Sequence, residues 1–97
     1  MIIIAGSLYC EPDGRDAYLA AVANVAGLAR NAPGCLDFVQ AADPIDPARI
    51  NVYERWESDA DVEAFRTSAD TSEPVAEPPA LTGADVRKYR IAAVEDP

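Results

Sequence analysis

The stretch Ile50-Asn51-Val52-Tyr53-Glu54-Arg55-Trp56-Glu57-Ser58-Asp59-Ala60-Asp61 decides the fold. Its first part alternates. Ile50, Val52, Glu54 and Trp56 fall on one side of an extended chain and Asn51, Tyr53, Arg55 and Glu57 on the other, which is the period of a strand. At Ser58 the pattern changes to a capping signature, with acids in the first turn where the helix dipole favours them. Ala60, Ala64, Phe65 and Ser68 continue as a short helix ending by Ala69.

Upstream, Cys35 to Ala42 alternates loosely, with Leu36, Phe38 and Gln40 opposite Asp37, Val39 and Ala41. Asp43-Pro44-Ile45-Asp46-Pro47 then breaks the run, so this segment pairs with the deciding strand as a hairpin. Ile2 to Cys10 reads as the first strand, stopped by the turn cluster Glu11-Pro12-Asp13-Gly14. Asp13 and Asp16 form a capping pair for a helix whose face is Tyr18, Ala21, Val22, Val25, Leu28 and Ala29. It runs to about Asn31, where Pro33 and Gly34 end it. Downstream, Asp70 to Thr82 reads as a loop with three prolines. Asp85 to Val94 is a fourth strand, with Val86, Lys88 and Arg90 opposite Arg87, Tyr89 and Ile91.

Four strands and two helices in the order βαββαβ predict an α+β, ferredoxin-like domain spanning residues 1–97, its antiparallel sheet covered on one face by both helices. The other face would carry Ile3, Ala5, Tyr9, Val39, Tyr53, Tyr89 and Ile91, too apolar to stay wet on so small a chain. A twofold partner is expected to cover it. Cys10 and Cys35 fall at opposite ends of parallel strands and are expected to stay reduced.

The chain has 97 residues, a formal net charge of −9 and no histidine. Its few cations are scattered, so neither nucleic acid nor an anionic membrane is an expected partner. The opening apolar run is too short for a span and lacks a basic leader, which points to the cytoplasm. Without histidine, the commonest metal ligand and neutral-pH proton carrier is missing.

Asn31-Ala32-Pro33-Gly34-Cys35-Leu36-Asp37-Phe38, then Val52-Tyr53-Glu54-Arg55-Trp56-Glu57-Ser58-Asp59-Ala60, then Phe65-Arg66-Thr67-Ser68, resemble the antibiotic biosynthesis monooxygenase domain family of dimeric α/β barrels. The resemblance implies a homodimer in which each subunit holds a pocket between sheet and helices. It also implies a cofactor-independent monooxygenase for aromatic polyketide or quinol-type molecules, in which the substrate anion itself reduces dioxygen. No cofactor and no metal are then needed. Many relatives carry a histidine where Phe65 stands, three residues before a serine. Haem-degrading relatives use an axial histidine a little further on, which is absent here.

On that reading Trp56 stacks on a polycyclic ring or donates its indole N–H, against the alternative of plain core packing. Glu54 is either a base with a raised pKa or one half of an ion pair with an arginine such as Arg90. Arg90 and Arg55 could otherwise steady a phenolate, or bridge surface acids. Tyr9, Tyr53 and Tyr89 are substrate-binding candidates that would serve equally as interface packing, and Phe38 and Phe65 line or fill the pocket. Asn24 and Asn51 are further neutral donors. Two other functions fit the same scaffold: a non-oxidative cyclase or isomerase, and a dimeric small-molecule-binding module without catalysis.

Overall fold

The computed structural model describes residues 1–68 and 78–97. Strands β1 (Ile2–Cys10), β2 (Cys35–Ala42), β3 (Arg49–Trp56) and β4 (Leu81–Arg90) alternate with helices α1 (Arg15–Ala21), α2 (Val25–Arg30) and α3 (Asp59–Thr67). The strands form one antiparallel sheet in the order β2-β3-β1-β4, the expected ferredoxin-like topology. β1 and β3 occupy the centre, as their apolar character requires. Cys10 and Cys35 lie at opposite ends of the parallel strands β1 and β2 with β3 between them, and both are free.

Alternation in β3 holds residue by residue: Ile50, Val52, Glu54 and Trp56 are buried, and the residues between them are not. Of these, Trp56 packs with Ile2, Ile4 and Phe38 against Val25 and Ala29 of α2 and Val62 and Phe65 of α3. The second cap is as read from the sequence. Ser58 Oγ accepts from the Asp61 backbone N–H at 3.2 Å and donates to Asp61 Oδ2 at 2.8 Å.

Four expectations about the helices and β2 need correction. The first long helix is two, separated at Val22–Asn24, where Ala23 and Val25 bond back three residues instead of four and tighten the turn. Asp13 does not cap it, because Pro12 opens a short 3-10 turn that takes Asp13 inside, closed by Gly14 N–H donating to Glu11 O at 2.9 Å. Leu36 does not share a face with Phe38, since a register shift between Cys35 and Asp37 turns it outward, 41% exposed. In α3 the buried residues are Val62 and Phe65, while Ala60 and Ala64 face outward.

β4 is also displaced from the expected Asp85–Val94. It pairs with β1 from Ile2↔Arg90 to Cys10↔Leu81, so the length of β1 sets its limits. Beyond Arg90 only Met1 remains as a partner, and Ile91 N–H donates to its carbonyl at 3.1 Å. Of the loop expected over Asp70–Thr82, residues up to 77 lie outside the described ones, and Leu81 and Thr82 belong to β4.

On the sheet face away from the helices the register brings Ile3, Ala5, Tyr53, Val39 and Tyr89 together, with Arg55 and Arg87 among them. The thinnest dimension of the molecule is 18 Å, the thickness of one sheet and one helical layer. No described segment covers this second face.

Gly6 permits the close β1–β4 pairing. Its φ is 153°, and a Cβ there would collide with the Asp85 carbonyl and come within 2.8 Å of the Val86 Cα. Gly6→Ala is expected to destabilise the fold by about 2 kcal/mol or more. Gly27→Ala, in α2 with open space around it, should stabilise by roughly 0.5–1 kcal/mol. Urea unfolding midpoints of the two variants check the contrast.

Candidate functional site

The two-residue period of β3 sets Glu54 and Trp56 side by side on the helix-facing side. Trp56 is fully buried, and its indole Nε1–H donates to Glu54 Oε1 at 3.0 Å. Glu54 is 8% exposed, with Ile4 of β1 and Phe38 of β2 as its ladder neighbours. Burial among these groups pushes its carboxyl pKa up, and the Trp56 hydrogen bond and the Arg66 charge oppose that only in part. The expected alternative of an ion pair with Arg90 is not formed. Arg90 Nη1 instead binds Asp59 Oδ2 at 2.7 Å, beside Lys88 on the other oxygen, and together they hold the Asp59 carboxyl at about 2.

Helix α3 lays Phe65 over this pair. Its ring centroid is 5.6 Å from that of Trp56, tilted by 37°, and it meets Phe38 edge-on at 6.3 Å. Of the candidates singled out, Phe38, Glu54, Trp56 and Phe65 therefore converge in one buried cluster. The others do not join it. Tyr53 and Tyr89 lie on the opposite face, Tyr9 has the same strand parity as Ile3, and Arg90 sits in the surface ion pair.

Over Phe65 opens a cleft of about 340 Å³ between the end of α2 and the outer side of α3, lined by Leu28, Asn31, Ala32, Pro33, Asp61, Ala64, Phe65 and Ser68. Its size is near the lower end of the roughly 300–1,000 Å³ usual for small-molecule sites. Neither Trp56 nor Glu54 reaches its wall. Of the expected site residues only Phe65 does. The rest of the lining comes from the helix exit Asn31-Ala32-Pro33 and the capped start of α3. Both were legible as helix punctuation but not as neighbours, because only packing brings the two helix ends together.

Asp61 is fixed at this rim from two sides. Ser58 holds Oδ2, and Gly34, with φ 80°, leaves the space that a Cβ would take from the carboxylate. Among the described residues there is no grouping of three or more His, Cys, Asp or Glu side chains able to hold a metal ion, and no helix long and apolar enough to cross a membrane.

The profile of the antibiotic biosynthesis monooxygenase family matches residues 1–76. The chain belongs to this family. Solved structures agree on the fold. A Deinococcus radiodurans protein assigned to antibiotic biosynthesis monooxygenases superposes with a TM-score of 0.78 at 14% identity, over 99% of this chain and 97% of its own. One from Nitrosomonas europaea gives 0.73 at 20% identity, over 96% of this chain and 100% of its own. The haem degrader MhuD of Mycobacterium tuberculosis gives 0.70 at 19% identity, over 99% of this chain and 100% of its own. No protein of curated function matches the sequence.

Because its folded pKa is raised, Glu54 keeps its proton in the fold at pH values where the unfolded chain has lost it. Its contribution is fully present below the ordinary value of 4.5 and is lost as pH rises through the folded one. Glu54→Gln keeps an acceptor for Trp56 and removes the titration. The variant's stability relative to the parent is expected to increase from acid to neutral pH, as read from denaturant unfolding across that range.

Proposed function

We propose that this protein is a cofactor-independent monooxygenase for a small, largely apolar aromatic molecule, bound in the cleft over Phe65. The observation that carries the reading is that cleft, apolar on most of its wall and floored by an aromatic ring, in a chain of the monooxygenase family. An anthrone-like methylene illustrates the chemistry. Its carbanion gives electrons to dioxygen, one oxygen atom becomes the new carbonyl, and the other leaves as water with the two hydrogens of the methylene. The protein has only to bind, orient and keep the site dry. Trp56 and Glu54, sealed behind Phe65, serve here as positioning residues that hold the floor of the cleft.

Haem does not fit the residues present. There is no histidine in the sequence, and no cysteine, methionine or tyrosine is among the described lining of the cleft. The uncovered sheet face supports a homodimer closed over Ile3, Val39 and Tyr53, an arrangement that would also shelter Arg55 Nε, buried and without a partner among the described residues. Free cysteines suit a cytoplasmic setting.

A second reading, a binding module without turnover, is favoured by one observation: Trp56 at 0% exposure has no surface left for a substrate. Oxygen uptake separates the two. Metal-free protein with a panel of anthrones, naphthols and quinols is expected to consume oxygen, and Phe65→Ala to reduce the rate by roughly tenfold or more through loss of positioning. Tight binding without uptake across the panel would select the second reading. Val39→Asp, placed on the uncovered face, is expected to turn a dimer into a monomer in sedimentation experiments.

A further inference from the structure

We infer that Asp61 makes the cleft selective for molecules that present a hydrogen-bond donor, such as a phenol or an aromatic amine, over those that carry a carboxylate. The inference rests on the proposed site and goes on to name the class of ligand.

Asp61 is the one side chain of the described lining that can only accept when ionised; Asn31 and Ser68 can both donate and accept. Asn31 Nδ2 gives one of its two N–H groups to the Gly27 carbonyl at 3.1 Å, and its amide oxygen remains an acceptor. Asp61 binds Ser58 through Oδ2, and Oδ1 has no partner among the described residues. Asp61 is also the only charged residue among the described lining, and no arginine or lysine stands with it. The basic residues next to the lining in sequence point elsewhere: Arg30 binds the Phe38 carbonyl and the Asp37 carboxylate, and Arg66 lines a separate hollow with Ile2, Ile4 and Asp59.

Asp61 is not free to swing away, since the Ser58 bond and the Gly34 backbone fix it. A hydroxyl or amine on the ligand therefore meets a preorganised acceptor. A carboxylate meets a like charge beside apolar walls, where screening by water is weakened. The chain's net charge of −9 adds to that bias at longer range.

The test uses the full chain at neutral pH with a naphthol and the matching naphthoate, which share one aromatic body. Binding is read by calorimetry and by quenching of Trp56, the sole tryptophan. The naphthol is expected to bind roughly tenfold tighter or more. Asp61→Asn, which keeps the side-chain shape, should bring the ratio towards one. In the parent protein the preference should shrink as salt is raised, a readout that needs no variant. Equal binding of the two probes, absence of binding by both, or a preference unchanged by both Asp61→Asn and salt would overturn the role of Asp61. Ala64→Phe, which fills the cleft from an outward-facing helix position, is expected to abolish naphthol binding. Binding untouched by it would overturn the site itself, so the two failures are distinguishable.

Discussion

The contact of Phe65 with the Trp56 indole is the interaction on which the remaining structure depends. Trp56 ends β3 and Phe65 lies on the helix that follows, so a short span of chain must reverse and bring α3 back over its own strand. The Ser58 cap starts that helix at the strand's end, and Val62 and Phe65 then fall on the side that meets the sheet. A large flat side chain at the strand's end gives α3 a surface to settle on. Phe38 closes it from β2, and Ile2 and Ile4 complete it from β1.

A carboxyl inside this cluster is a liability that the geometry limits. Among the described residues Glu54 has a single hydrogen-bond donor, the indole N–H, and burial favours its neutral form. An apolar residue would pack there with less penalty, so the pair marks a position where packing is not the whole demand. It also ties the orientation of the indole, and through it Phe65, to the protonation of one group behind the cleft.

The cations of β4 tell a complementary story. Lys88 and Arg90 both converge on Asp59 in the first turn of α3, so the exposed edge strand is fastened to the helix that floors the cleft. Exposed ion pairs of this kind contribute little stability each, but two on one carboxylate give a defined geometry. On the far face the apolar residues of the sheet keep company with Arg55 and Arg87, a mixture that suits a specific partner surface better than a simple greasy contact.

The sequence by itself determined the order of the strands, the helical segments between them, the Ser58 cap and the shared face of Glu54 and Trp56, because all of these follow from local periodicity and capping chemistry, which act over a few residues. It also carried the family, through ordered pieces such as Asn31-Ala32-Pro33-Gly34 and Arg55-Trp56-Glu57-Ser58. Only the tertiary structure decided the limits of β4, which the length of β1 imposes, and the partner of Glu54, chosen between an arginine and an indole by proximity alone. The cleft belongs to the same class: Asn31 and Asp61 lie in separate helix ends, and nothing local to either announces the other. Pairing register and packing are long-range quantities, fixed only when the whole chain has closed on its core.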